Sequence, residues 1–304
     1  MITSPPNDLR PRLQVVSIVI AVMFASLFFR ILKWGELEHT SLVFIGVPAV
    51  MAVVVALLPR PQSATGMVFK AITLGLLIAA VAFGEAFICI LFAAPLLYAV
   101  GGIIGLLVDW IHTRSKTRPW AWILLGLVVT PASLEGVVAP FEFERFERVS
   151  VVGVVDGSAA DVAAALAQSP RFDRPLPIFL RLGFPRPGKT TGAGLDVGDV
   201  RHIEFLHGHH PGVLAMQVER SEPGFVIFAV SHDDSYITHW LSWRRAEVRW
   251  RALSDHRTEV SWTLSYRRRL DPAWYFAPLE RYGTQQAARY LLESLTNPLS
   301  GRRS

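Results

Sequence analysis

The chain predicts a helical, membrane-spanning N-terminal half of about five spans, then an α+β domain whose antiparallel sheet curls around a long C-terminal helix. Three observations predict this architecture. Residues 13–137 are dominated by apolar runs long enough to cross a hydrocarbon core. From Val200 onward the apolar residues recur with a period of two. The chain then closes on an amphipathic helical pattern beginning at Asp271-Pro272. The expected division is a transmembrane domain over 1–140 and a water-soluble domain over 141–300.

Roughly 20 apolar residues span a bilayer core. The candidate spans lie at about 13–31, 41–58, 68–84, 88–110 and 120–138. The stretch 71–111 is about 60 Å long as a helix, about twice the core thickness, so it must turn. Gly84-Glu85 is the natural place, because Glu85 is the only charge before Asp109. Glu85 reads either as a proton or ion site or as a solvated carboxylate at a helix turn. Pro48 and Pro95 are tolerated inside spans, and Gly101, Gly102 and Gly105 predict a close approach of two helices. Phe28-Phe29-Arg30 stands where a cleavage site needs small residues, so the first run reads as a span rather than a cleaved leader.

Orientation follows from the loop cations. With the N-terminus inside, the inner segments carry Arg10, Arg12, Arg60, Lys70, Arg114, Lys116 and Arg118, and the outer loops only Arg30 and Lys33. Five spans then place the C-terminal domain on the extracytoplasmic side of the cell membrane. A re-entrant turn at Glu85 would instead leave four spans and a cytoplasmic domain. The formal net charge of +5 divides into 9 Lys/Arg against 6 Asp/Glu through residue 140 and 21 against 19 after it. With no basic block, nucleic acid is not an expected partner. The single cysteine, Cys89, lies in an apolar run, which excludes an intramolecular disulfide and a cysteine-based metal site. No half of the membrane region repeats, which argues against a transporter.

In the C-terminal domain, Phe141–Arg148 links into a first strand over Arg148–Val155. Asp156-Gly157-Ser158 turns the chain, and Ser158 caps a helix over Ala159–Gln168 with Asp161 at its third position. Ser169–Gly198 is Pro/Gly-rich with little periodicity. Beyond it, Leu214, Met216 and Val218, then Val248 and Trp250, then Val260, Trp262, Leu264 and Tyr266 alternate with polar partners. Gly208–Gly212, Glu222–Gly224, Asp233–Ser235 and Ser254–His256 are the turns of this antiparallel meander, which has one wet and one apolar face. The closing helix has Asp271 as N-cap and Pro272 at its first position, and runs to about Thr296. Ala287, Ala288, Leu291, Leu292 and Leu295 share one stripe, and Pro278 is expected to kink or restart the helix.

This order resembles the START-like helix-grip superfamily, also called SRPBCC or polyketide cyclase/dehydrase-like. The resemblance rests on Val149–Ala165 (VSVVGVVDGSAADVAAA), Gly198–Arg201, Thr258–Trp262 and Asp271–Phe276 (DPAWYF), and covers roughly 145–297. It implies a domain that encloses a hydrophobic small molecule or lipid, such as a sterol or polyketide, with a minority of members being enzymes. The Pro/Gly-rich insert and the fused membrane half depart from the family's usual soluble pattern.

Gly183–Thr190 matches the literal phosphate-loop pattern, but Pro185 and Pro187 remove amide donors that such a loop needs. His202, His207, His209, His210, His232 and His239 read as a turn-rich cluster rather than a metal centre, and neither a metal nor a cofactor is expected. For an enzyme, a cyclase-like or hydrolase-like member, the candidate acid–base groups are His239 and Glu204. The expected ligand-cavity residues are Trp250, Trp262, Tyr266, Leu264, Val248, Met216 and Trp243, from the apolar faces of adjacent strands. The sequence therefore predicts a membrane-anchored domain that binds a hydrophobic molecule for transfer, storage or sensing. A cavity-using enzyme and a ligand-free interaction module are the alternatives.

Overall fold

The computed structural model describes residues 47–59, 61–83, 87–114, 143–182, 184–207 and 210–300. The expected spans at 13–31 and 120–138, and the Gly84-Glu85 turn, lie outside them. The chain divides into two compact units, Met1–Val129 and Thr130–Ser304.

In the first unit, three helices are described: α1 (Val47–Leu57), α2 (Ala64–Phe83) and α3 (Phe87–Arg114). They occupy the positions of three expected spans. Among the described residues one helical segment, Ile90–Thr113, is long and apolar enough to cross a membrane, with a mean hydropathy of 2.3; Ala64–Ala80 is a shorter apolar segment. Helix α2 starts four residues before the expected 68, for a local reason and a distant one. The Ser63 hydroxyl accepts the Gly66 amide. From α3, the Asp109 carboxylate accepts the amides of Ala64 at 2.6 Å and Thr65 at 3.1 Å, and the Thr65 hydroxyl at 2.7 Å. Those amides have no partner within their own helix, and a carboxylate there also meets the positive end of the helix dipole. Directly beside this contact, a Cβ on Gly105 would lie 2.5 Å from the Thr65 Cα. Gly105→Leu is therefore expected to force α2 and α3 apart, read as lost hydrogen-exchange protection at Ala64 and Thr65.

The second unit is a seven-stranded, wholly antiparallel sheet in the order β1-β7-β6-β5-β4-β3-β2. The strands are β1 (Phe146–Asp156), β2 (Arg186–Thr191), β3 (Val200–His207), β4 (His210–Glu222), β5 (Phe225–Asp233), β6 (Leu241–Ser254) and β7 (Arg257–Arg268). After β1 come α4 (Ala159–Ala167) and the single turn α5 (Ile178–Arg181); after β7 comes the long helix α6 (Ala273–Ser300). The sheet curls with α6 packed on β1 and β7, which is the helix-grip arrangement. Ser158 caps α4 in a capping box with Asp161.

Three expectations change. The Ser169–Gly198 stretch is not featureless: it supplies α5 and the edge strand β2, with Pro187 at a β-bulge. The phosphate-loop pattern falls largely on that strand, so it opens no helix. Asp271, the expected cap of α6, also serves as an acceptor for two arginines. Its carboxylate receives Arg145 at 2.8 Å and Arg268 at 3.2 Å, and the Pro272 carbonyl accepts the first helical amides, from Tyr275 and Phe276. Pro272 accordingly precedes α6, and the helix continues through Pro278 without restarting.

The core joins Val151 and Val155 of β1, Val162 and Leu166 of α4, Val226 and Phe228 of β5, Val248 of β6, Trp262 and Leu264 of β7, and Ala288, Leu292 and Leu295 of α6. Gly153 of β1 admits α6 closely, since a Cβ there would lie 2.7 Å from the Leu292 Cδ2.

Candidate functional site: a cleft between sheet and helix

A cleft of about 190 Å³ opens between the end of α4, the chain that follows it, and the C-terminal half of α6. Ala165, Trp262, Leu291 and Leu295 are its apolar lining; Gln168, Ser169, Arg171, Asp173, Arg174 and Ser294 are its polar rim. The following chain is anchored in place. The Arg174 guanidinium donates to the Glu293 carbonyl, and the Tyr290 hydroxyl donates to the Arg174 carbonyl at 2.7 Å, with the rings of Phe172 and Tyr290 stacked. Deeper in, Arg201 is 6% exposed and donates to the carbonyls of Leu166 and Gly194, lying 4.5 Å over the Phe228 ring. Burial lowers its pKa to about 10, against the pull of Asp199.

Of the seven expected cavity residues, Trp262 is the one that lines this cleft. Val248, Leu264 and Tyr266 are buried in the concave face of the sheet, and Met216, Trp243 and Trp250 pack against that core half-buried. Their side chains fill the space between sheet and helix. The two candidate acid–base residues stand elsewhere. His239 is not on a strand: it ends a 3₁₀ turn, Tyr236–His239, where its ring is exposed and stacks on Tyr236. Glu204 is half-buried on β3 and does not border the cleft.

A second constellation is one that the sequence pattern does not announce. Tyr266 and Arg268 project from the concave side of β7, and Glu280 and Thr284 stand one turn apart on the inward stripe of α6. All four are buried, at 0%, 1%, 7% and 2% exposure respectively. Among the described residues the Arg268 Nε has no partner, the Tyr266 hydroxyl lies beside that of Thr284, and the Glu280 carboxyl lies beside the Leu270 amide, both short of ideal hydrogen-bond geometry. Burial pushes the Glu280 carboxyl up to about 8, against the pull of Arg268, and raises the Tyr266 phenol as well. Extending the leucine stripe backwards in steps of three and four reaches Thr284, Glu280 and Ala277, so the spacing carries the signal, but polar identity argues for an outward face.

No family model and no characterised protein matches the chain by sequence. Solved structures similar to its C-terminal half include an aromatase/cyclase from Streptomyces sp. R1128, at 14% identity, 52% of this chain, 96% of that chain and a TM-score of 0.38. A START superfamily protein from Mycobacterium smegmatis gives 12% identity, 51% of this chain, 97% of that chain and a TM-score of 0.37. Norcoclaurine synthase from Thalictrum flavum gives 14% identity, 52% of this chain, 89% of that chain and a TM-score of 0.37. Such likenesses transfer neither a substrate nor a catalytic residue.

Proposed function

We propose that this chain is a membrane protein whose C-terminal helix-grip domain binds a hydrophobic small molecule, or the end of a lipid chain, in the cleft bordered by Trp262. The observation that carries this reading is the cleft itself, apolar inside and polar at the rim. Its volume of about 190 Å³ is below the usual range for drug-sized ligands, roughly 300–1,000 Å³, and close to the cavity of about 150 Å³ that admits benzene. It suits one ring or one chain end, with the remainder of a larger ligand lying across the rim. Binding of this kind serves transfer, storage or sensing and needs no catalytic group.

Membrane residence is supported by Ile90–Thr113 and by the large apolar side chains that the first unit exposes, Ile103 and Leu106 among them at 64% and 63%. With the loop cations it favours a multi-pass protein of about five spans, N-terminus inside and C-terminal domain extracytoplasmic. A reporter fused after Ser304 that is active only in the cytoplasm would overturn that orientation.

The binding test uses Ala165→Leu, which fills the cleft from α4 with another good helix former. Saturation-transfer NMR with toluene and hexanol, on the full chain in detergent, is expected to show contacts that the variant loses. Equal signals from the two proteins would mean that the probes sit in detergent or elsewhere, and the cleft reading would fall.

A further inference from the structure

The inward stripe of α6 has two chemically different halves. Towards its C-terminus it is Ala288, Leu292 and Leu295, packed into the core with Val162 and Leu166 of α4. Towards its N-terminus it is Ala277, Glu280 and Thr284, buried against the sheet. An apolar contact is indifferent to pH. A buried carboxyl is not, because ionised it would hold a charge at a position that is 7% exposed, with the Leu270 amide and the Arg268 charge as its counterweights.

The charged groups around Glu280 already have other partners, although the Arg268 Nε has none among the described residues. From β7, Arg268 directs Nη1 to the Leu270 carbonyl at 2.5 Å and to Asp271 at 3.2 Å. Arg145, just before β1, is held by Asp271 at 2.8 Å. Glu147 of β1 is held by Arg281 of α6 through bonds of 2.8 and 2.7 Å. Tyr266 contributes a neutral phenol and Thr284 a hydroxyl. From α5, Phe179 contributes an apolar ring, set edge-on to Tyr282 and against Gly283. The neighbouring cations thus have carboxylate partners, and Glu147 and Asp271 oppose a further negative charge.

We propose that neutral Glu280 is a pH-operated latch: protonated, it keeps the N-terminal half of α6 closed over Tyr266 and Arg268, and deprotonation releases that half while the leucines hold the other. Release uncovers the concave face around Tyr266, whose ring meets Trp243 at 6.0 Å. The sign follows from the direction of the shift. An ordinary glutamate ionises near 4.5, and burial raises Glu280 to about 8. Between those values the unfolded chain has lost the proton and the folded chain has kept it, so the contribution to stability falls as pH rises through the window. Above it the folded state itself ionises, and the latch opens.

Hydrogen exchange on the full chain in detergent tests this without any ligand, so it stands or falls separately from the binding reading. Between about pH 6 and about pH 9, after correction for intrinsic rates, protection over 277–288 is expected to fall about a hundredfold. Over 289–295 it is expected to hold. Glu280→Gln is expected to remove the pH response, and so is Glu280→Met, which serves should the amide fold poorly. The same fall in either neutral variant, an equal fall in both halves of α6, or no fall in the native chain would overturn the latch. The last result would mean that Arg268 turns to pair with the ionised carboxylate.

Discussion

Trp262→Ala is expected to destabilise the C-terminal unit by about 3–5 kcal/mol, the usual cost of deleting a buried tryptophan side chain. The indole is 8% exposed and stands in one row across the sheet, with Val151 of β1 on one side and Val248 of β6 on the other. Val226 of β5 continues that row, paired with Val248. Its removal opens the row beneath Ala288 and Leu292, which the sheet cannot close by shifting one strand, because β7 is paired along both edges. The same indole borders the cleft, so the variant enlarges the site that it weakens. For a unit of this size the thermal midpoint should fall on the order of 10 °C, followed by near-ultraviolet circular dichroism. Trp262→Phe should recover much of the loss. A midpoint within about a degree of the native one would remove Trp262 from both core and cleft.

Arg268→Met is the second large effect, on the order of 3–5 kcal/mol by the same kind of measurement. Arg268 is 1% exposed and its guanidinium joins the end of β7 to the chain that leads into α6, through the Leu270 carbonyl and Asp271. Methionine matches much of the stem but donates nothing, leaving the half-buried Leu270 carbonyl without this donor and Asp271 without one of its two arginines. Asp271→Asn should cost less, since the Leu270 bond survives. If the methionine variant were as stable as the native chain, the arginine would be replaceable packing, as some buried ion pairs are.

The parts of this protein written in near neighbours are legible in its sequence. Ser158 and Asp161 announce the start of α4, because a cap is a contact over three residues. Val260, Trp262, Leu264 and Tyr266 share one strand face because side chains alternate across a strand, and all four are buried. Ala288, Leu292 and Leu295 face the core because they recur at helical spacing. The same logic misplaces His239. Alternation with Ile237 and Leu241 looks like a strand, whereas Asp233 accepting the Ser235 amide and hydroxyl begins a turn that breaks the pattern. Asp271 reads as a cap by position, and the arginines that its carboxylate also receives, Arg145 and Arg268, come from 126 residues away in the chain and from β7.

Sequence alone thus determined the apolar character of the first half, the alternating strands, the capped helix and the leucine stripe, since each depends on contacts a few residues long. Tertiary structure decided the remainder. It paired β1 with β7, folded a Pro/Gly-rich stretch into an edge strand, and set Asp109 on the amides of another helix. It also enclosed Glu280 and Thr284 opposite Tyr266 and Arg268. The burial of a polar side chain depends on which surface arrives to cover it, and that surface comes from residues distant in the chain.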